Sequence, residues 1–269
     1  MAEIHSTAIV EGNVSLASGV VIGAYCVIKG NVNIGENTIV YPHVCIEGNT
    51  TIGKECEIFS FASIGSKPQD YKYHGESTEI IIGDGNIIRE YVTISPGTKH
   101  GGGITKVGNK NFFMISSHVG HDVAVGNNCT IANNVPLGGH VVLGDNITIG
   151  GNSAVHQFVC IGSYTMVGGM VGVKENIMPF ALATPCNGSH YAGVRGVNII
   201  GLKRNGFTKE DIQSISTCFD VLRKDGTIAD KILKFNNDNK NVQEVINFIK
   251  HSQEMQGSKG LAPFVRDGS

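Results

Sequence analysis

The chain contains no tryptophan, and aromatic residues fill only 7% of its 269 positions. A core built on large rings is therefore excluded, and aliphatic and small side chains must supply the interior. An excess of one charge is missing too: 21 Lys and Arg stand against 23 Asp and Glu, a net charge of −2. Without a basic field, bulk binding to nucleic-acid backbones is not expected. No run approaches the roughly 18 apolar residues of a membrane-spanning helix. The opening stretch, MAEIHSTAIVEG, has neither a basic start nor an apolar core and does not read as a signal peptide. The seven cysteines include no C-x-x-C pair, which fits free thiols in a reducing cytoplasm.

What is abundant is glycine, at 36 residues, together with a period of six. Aliphatic residues recur at Val10, Leu16, Ile22, Ile28, Ile34, Val40, Ile46, Ile52, Ile58 and Ile64, then at Ile82, Ile88 and Ile94. The spacing resumes at Val107 and runs through Phe113, Val119 and Val125 to Val173. Glycine often follows the aliphatic residue, and a small or β-branched residue such as Val14, Cys26, Cys56 or Cys129 precedes it by two places. A six-residue period fits neither a helix nor a hairpin sheet; it predicts a hexapeptide parallel β-helix. Three hexads form one coil, the aliphatic residue points inward, and coils stack about 4.8 Å apart. The expected fold is an all-β left-handed parallel β-helix followed by a small α-helical C-terminal domain.

The period breaks over residues 66–80 and 97–106, which read as loops projecting from a rigid rod, where function concentrates. After about Pro179 it stops, and TPCNGSHYAGVRGVN reads as a linker. Thr208 and Asp211 then form a capping-box pair ahead of a helical stripe of Ile212, Ile215, Phe219 and Leu222. The expected units are residues 1–183, the β-helix, and 190–269, the helical part, with another short helix around VQEVINFIKH.

Polar residues gather on the rod. Eighteen residues advance the chain by one coil, so His118, His121, His140 and His156 are expected on consecutive coils in nearly one outward column. Asp122 adjoins His121, and Gln157 adjoins His156. Three readings of this ladder compete: a solvated polar face, a metal site built from imidazoles, or a general base. In the third, an imidazole accepts a proton near neutral pH and a neighbouring carboxylate orients it. The pair Gly138-Gly139 before His140 would let a backbone N–H approach a developing oxyanion. No serine or cysteine nucleophile is required, so acyl transfer to a hydroxyl would be direct. Gly151 and Gly169, one coil apart, would leave room for a long acyl chain in a groove along the rod.

The blocks FASIGSKPQDYKYHGE, GDGNIIREYVTIS, GGGITKVG, HVGHD, GGNSAVHQF and GVNIIGLKRNGF carry a resemblance. Together they resemble the bacterial UDP-N-acetylglucosamine O-acyltransferases of lipid A biosynthesis. The resemblance implies a cytoplasmic homotrimer with sites between subunits, and no cofactor of its own. The donor would be a 3-hydroxyacyl chain on the phosphopantetheine of acyl carrier protein, and the acceptor the glucosamine 3-hydroxyl of UDP-N-acetylglucosamine. His121 would be the general base, Asp122 its orienting partner, and the Gly139 amide the oxyanion donor. Gln69, Asp70 and Lys72 would hold the sugar nucleotide, and His118, His140, His156 and Gln157 would line the pocket. Asn198 and Arg204 would reach the nucleotide or pantetheine from the tail. No metal is implied. Two positions depart from the family pattern: Asn205 replaces a second basic residue, and Ile200 stands where an acidic residue is usual. They keep open the 3-amino analogue of UDP-N-acetylglucosamine as acceptor.

Other members of the hexapeptide class are alternatives. A related N-acyltransferase carries an N-terminal domain before its repeat, whereas here the repeat begins by residue 10. A carbonic anhydrase-like trimer would place metal on the histidines. An ice-binding rod would show flat threonine arrays.

Overall fold

Each hexad becomes a two-residue strand and a corner. Val21–Ile22 pairs in parallel with Ile39–Val40, which pairs with Glu57–Ile58, and the inward residue of each strand sits directly over its equivalent in the next. Side chains alternate across a strand, so Ile22, Val40 and Ile58 are buried while their neighbours face outward. The computed structural model describes residues 1–186, 188–227, 231–232, 239–254, 257 and 259–265. It forms a left-handed parallel β-solenoid of about 10 turns with a small helical part at its C-terminal end.

Three faces build the prism. The first carries Phe112–Phe113, Thr130–Ile131, Thr148–Ile149 and Met166–Val167. The second carries Ser63–Ile64, Thr93–Ile94, His118–Val119, Pro136–Leu137 and Ala154–Val155. The third carries Glu79–Ile82, Ile104–Val107, Ala124–Val125 and Val142–Leu143. The interior is a column of Ile, Val and Leu, with Phe113 as its one ring along the repeat, and burying each such side chain contributes about 1.5–3 kcal/mol. Cys26, Cys56 and Cys129 lie in this interior, as their spacing predicts. Burial pushes the Cys129 thiol up to about 12, so it packs as a small apolar group.

Both interruptions of the repeat leave from the same edge, between the second and third faces. One follows Ser63–Ile64 and returns at Glu79–Ile82; the other follows Thr93–Ile94 and returns at Ile104–Val107. The irregular segments are thus shorter than 66–80 and 97–106, because each range's end already lies in a returning strand. Lys99–Gly101 forms one 3-10 turn.

The stretch read as a linker is instead an antiparallel hairpin, Ala181–Pro185 with Ala192–Val197, whose first strand extends the first face beyond Met166–Val167. Ala181, Ala183, Ala192 and Val194 are buried there, so the segment is tied down by apolar packing that its Gly, Ser and Pro content conceals. Among the described residues the tail carries helices α1 (Ile199–Arg204), α2 (Lys209–Arg223) and α3 (Lys240–Glu254). The Thr208–Asp211 capping box is formed, and Ile212, Ile215, Phe219 and Leu222 are buried. Ala262 and Val194 make backbone hydrogen bonds to Asn176 and Pro263, so the segment around Ala262 and Pro263 returns to both rod and hairpin.

Candidate active site

The edge between the second and third faces carries the polar cluster. His121 and Asp122 form the corner after strand His118–Val119, and Gly139 and His140 form the same corner one coil further on. Asp122 and His140 adopt the left-handed region, with φ of 60° and 61°. Corners of this repeat demand that conformation, which costs a non-glycine residue of the order of 1 kcal/mol.

Asp122 is the centre. Its side chain is 1% exposed and accepts three hydrogen bonds. His121 Nδ1–H donates to Oδ2 at 2.8 Å, the Thr98 hydroxyl donates to Oδ2 at 2.7 Å, and the Thr98 N–H donates to Oδ1 at 2.8 Å. The assignment of the His121 proton to Nδ1 follows from the carboxylate beside it. Burial works to raise the carboxyl's proton affinity, but the His121 and Thr98 hydrogen bonds outweigh it and hold the group below the ordinary carboxylate value. The Asp122 N–H donates to Thr105 Oγ1 at 2.9 Å.

His121 therefore presents its Nε2 away from the carboxylate. Its ring packs against Gly139: a Cβ at that position would fall 2.6 Å from Nε2. The Gly139 N–H donates no hydrogen bond among the described residues, while the Gly139 carbonyl accepts one from Phe158 N–H. His140 meets His121 edge-on at 5.0 Å between centroids and stacks on Phe158 at 4.3 Å. Burial lowers the basicity of His140, opposed by Asp122 and Asp70 and reinforced by His121 and Lys72. His118 is likewise lowered, first by burial and then by His121, and its Nδ1 lies 2.7 Å from the Thr93 hydroxyl.

The four histidines do not share a column. His118 stacks between Thr93 and Pro136, His121 lies below Gly139, His140 continues from Asp122 to Phe158, and His156 occupies a fourth register. The intervals of nineteen and sixteen differ from the coil length, and one residue at a tight corner turns a side chain by a large angle. His156 and Gln157 are exposed, and His156 Nδ1–H donates to the Gln157 carbonyl at 3.1 Å.

Gln69 and Asp70 line a concavity in the first insertion together with Lys67, Tyr71 and Tyr73. Lys72 N–H donates to Asp70 Oδ1 at 3.0 Å, and both charges act on His140. Asn198 and Arg204 lie elsewhere. They line a cavity on the first face with Thr148, Met166, Leu182 and Ile200. Asn198 caps α1, its Oδ1 accepting from Gly201 N–H at 3.1 Å and its Nδ2 donating to the Tyr164 carbonyl at 2.9 Å. Gly151 and Gly169 stack one coil apart, but on the edge between the first and second faces; a Cβ on Gly169 would lie 3.3 Å from the Gly151 carbonyl. A single protomer thus gathers His118, His121, Asp122, Gly139, His140, Asp70 and Lys72, and leaves Asn198, Arg204, Gly151 and Gly169 on other faces. Thr98, Thr105 and Phe158 went unnoticed in the sequence because nothing in the period of six marks them.

One donor atom each from His121, Asp122 and His140 lies within 4.8 Å of the others, close enough to hold a metal ion. The His121 Nδ1–H and Thr98 hydroxyl already occupy the Asp122 oxygen nearest this group, which favours a proton-transfer dyad over an ion site.

The chain is similar to known proteins over nearly its whole length. A family profile described as Udp N-acetylglucosamine O-acyltransferase, Domain 2, matches residues 177–260. An acyl-[acyl-carrier-protein]–UDP-N-acetylglucosamine O-acyltransferase from Aliarcobacter butzleri is 43% identical over 257 residues, 94% of this chain and 97% of that protein. The protein of the same name from a Sulfurovum species is 44% identical over 270 residues, covering 99% of each. Among solved structures, the UDP-N-acetylglucosamine acyltransferase of Francisella novicida superposes with a TM-score of 0.90 at 36% identity, covering 97% of this chain and 94% of that one. The Campylobacter jejuni UDP-N-acetylglucosamine acyltransferase gives 0.89 at 34% identity, covering 98% and 100%.

Proposed function

From the premise that this chain belongs to the UDP-N-acetylglucosamine O-acyltransferase family and is an acyltransferase, we propose that it performs the first step of lipid A biosynthesis. It transfers a 3-hydroxyacyl group from acyl carrier protein to the glucosamine 3-hydroxyl of UDP-N-acetylglucosamine. The observation that carries the mechanism is the buried Asp122 carboxylate on His121 Nδ1, which leaves Nε2 as the free base. Nε2 takes the proton of the sugar hydroxyl as that oxygen attacks the thioester carbonyl carbon. The Gly139 N–H donates to the resulting oxyanion, and Asp122 stabilises the imidazolium. Collapse breaks the C–S bond, and the phosphopantetheine thiolate leaves with the proton that His121 returns. Gln69, Asp70 and Lys72 hold the sugar nucleotide, and His118, His140, His156 and Gln157 line its pocket.

Separation of the two residue sets supports a homotrimer. Asn198 and Arg204 lie on the first face, away from His121, so a site that uses both sets would be completed by a neighbouring copy. The acyl chain then runs between subunits past Gly151 and Gly169. The proposed compartment is the cytoplasm, as the family resemblance implies. No helix of the described residues is long and apolar enough to cross a membrane.

Two observations keep a second acceptor open, the 3-amino analogue. Ile200 is exposed and uncharged, and Asn205 spends its Nδ2 on the Gly201 carbonyl of α1, so neither presents a charge to the nucleotide. The test is acyl transfer from a panel of 3-hydroxyacyl carrier proteins to both acceptors, with wild type and His121→Ala compared after chelator treatment. Transfer to the hydroxyl that survives chelation and falls about 10³-fold in the variant is expected. Loss on chelation with recovery on zinc would overturn the metal-free base, and transfer only to the amine would overturn the O-acyl assignment.

A further inference from the structure

Thr98 occupies the N-cap of the 3-10 turn Lys99–Gly101, where a threonine hydroxyl ordinarily accepts from the first free N–H groups of the turn. Here the side chain makes no such cap bond. The backbone carbonyl of Thr98 instead accepts from Gly101 N–H at 3.0 Å and Gly103 N–H at 2.8 Å, and the turn closes without the hydroxyl. The hydroxyl is aimed at Asp122 Oδ2, 2.7 Å away, and the Thr98 N–H takes Oδ1. Both carboxylate oxygens are thus held by one residue, which is itself 2% exposed.

Two further residues of this segment pack around Asp122. The Gly101 Cα packs against it so tightly that a Cβ there would overlap the Asp122 oxygens. Thr105, on the returning strand, accepts the Asp122 N–H and fixes the corner backbone. An insertion that served only to decorate the rod would have no reason to seal one carboxylate from water on this side.

We infer that Thr98 is a positioning residue for the acyl transfer: the insertion at 97–103 grips Asp122 through Thr98, and so sets the orientation of His121. This rests on the assignment of His121 and Asp122 as base and orienter. A carboxylate gripped at both oxygens cannot rotate about its terminal torsion, which is otherwise broad. The Nδ1 contact, and with it the direction of Nε2, stays fixed while the substrate hydroxyl is engaged. Thr98 touches neither substrate nor reacting atoms in this scheme and acts only through Asp122.

The test is a double-mutant cycle read as kcat and KM. Thr98→Val keeps the shape and the backbone N–H and removes the hydroxyl donor. It is expected to lower kcat about tenfold, the scale of a hydrogen bond to a charged group, with KM for both substrates unchanged. Thr98→Ser restores the donor and is expected to recover most of kcat. In an Asp122→Ala background, Thr98→Val is expected to lose most of its effect, because the group it acts on has gone. A full tenfold loss in that background, or an unchanged kcat in Thr98→Val, would overturn the inference. If Thr98→Val does not fold, Thr98→Ala run through the same cycle gives the same two outcomes. An inactive His121→Ala alongside a fully active Thr98→Val removes this inference alone, whereas an active His121→Ala removes the base assignment beneath it.

Discussion

One edge of the prism is built in two ways along its length. In the first coils, strands Ile9–Leu16, Val27–Ile34 and Cys45–Ile52 run unbroken around it, bending at Gly12, Gly30 and Gly48 with φ of 94°, 105° and 76°. These glycines stack backbone on backbone: a Cβ on Gly12 or Gly30 would lie 2.6 Å from the next carbonyl oxygen. The side chains beside them pair with one another: Lys29 with Glu11, and Asn13, Asn31 and Asn49 in a hydrogen-bonded ladder. Beyond the two insertions the same edge opens into tight corners at His121–Asp122 and Gly139–His140, with side chains at every position but one. The scaffold supplies identical hydrogen-bonded coils to both regions. Chemistry appears where the edge stops being a continuous strand, and where the insertions give it donors and walls. Glycine is used in both regions, at Gly30 to let backbones touch and at Gly139 to let the His121 ring come close.

That difference can be broken by moving a methyl group. Gly139→Ala puts a Cβ within 2.6 Å of His121 Nε2 at a position of ordinary φ, so the imidazole must swing while the coil remains. The expected result is a fall in kcat of about 10²-fold with little change in melting temperature. Gly30→Ala does the reverse. Its Cβ meets the Gly48 backbone at a positive φ, and a loss of about 2–3 kcal/mol in stability is expected, read in denaturant melts, with kcat per folded enzyme preserved. If Gly30→Ala lowered kcat at full stability, the division of the edge into structural and chemical halves would be wrong.

The smallest effect sharpens the contrast through pH. Burial depresses His118 and His140 below their ordinary 6.5, so these groups favour the neutral form in the folded state. Their contribution is complete above about 6.5 and is lost as pH falls through the depressed folded values. Asp122 is also depressed, from 3.8, so its contribution holds above that value and is lost only in stronger acid. The melting temperature is therefore expected to decline by a few degrees as pH drops below 6.5. His118→Gln should flatten part of that decline. An unchanged decline in that variant would show that the acid sensitivity does not come from His118.

Much of this architecture is legible in one dimension, because a solenoid repeats its contacts at a fixed interval. The six-residue spacing of Ile22, Ile28 and Ile34 predicts strand, inward direction and stacking together, and burial at those positions follows. The Thr208–Asp211 box is equally local and equally readable. The hairpin of Ala181–Pro185 and Ala192–Val197 is not, since two short strands rich in small residues carry no period of their own. The histidines show both sides. Their gathering on adjacent coils follows from spacing, but their separation into four registers depends on corner geometry within two residues.

Period, core and the candidate base with its neighbouring aspartate were set by residues close in the chain, since strand, turn and cap preferences act over a few positions. The grip of Thr98 on Asp122 spans 24 residues, and the contact of Gly139 with His121 crosses from one coil to the next. Such contacts depend on how far each insertion folds back and on which corner it leaves from. Those are matters of packing in three dimensions, where the gain from sealing a carboxylate is weighed against the entropy of ordering a loop.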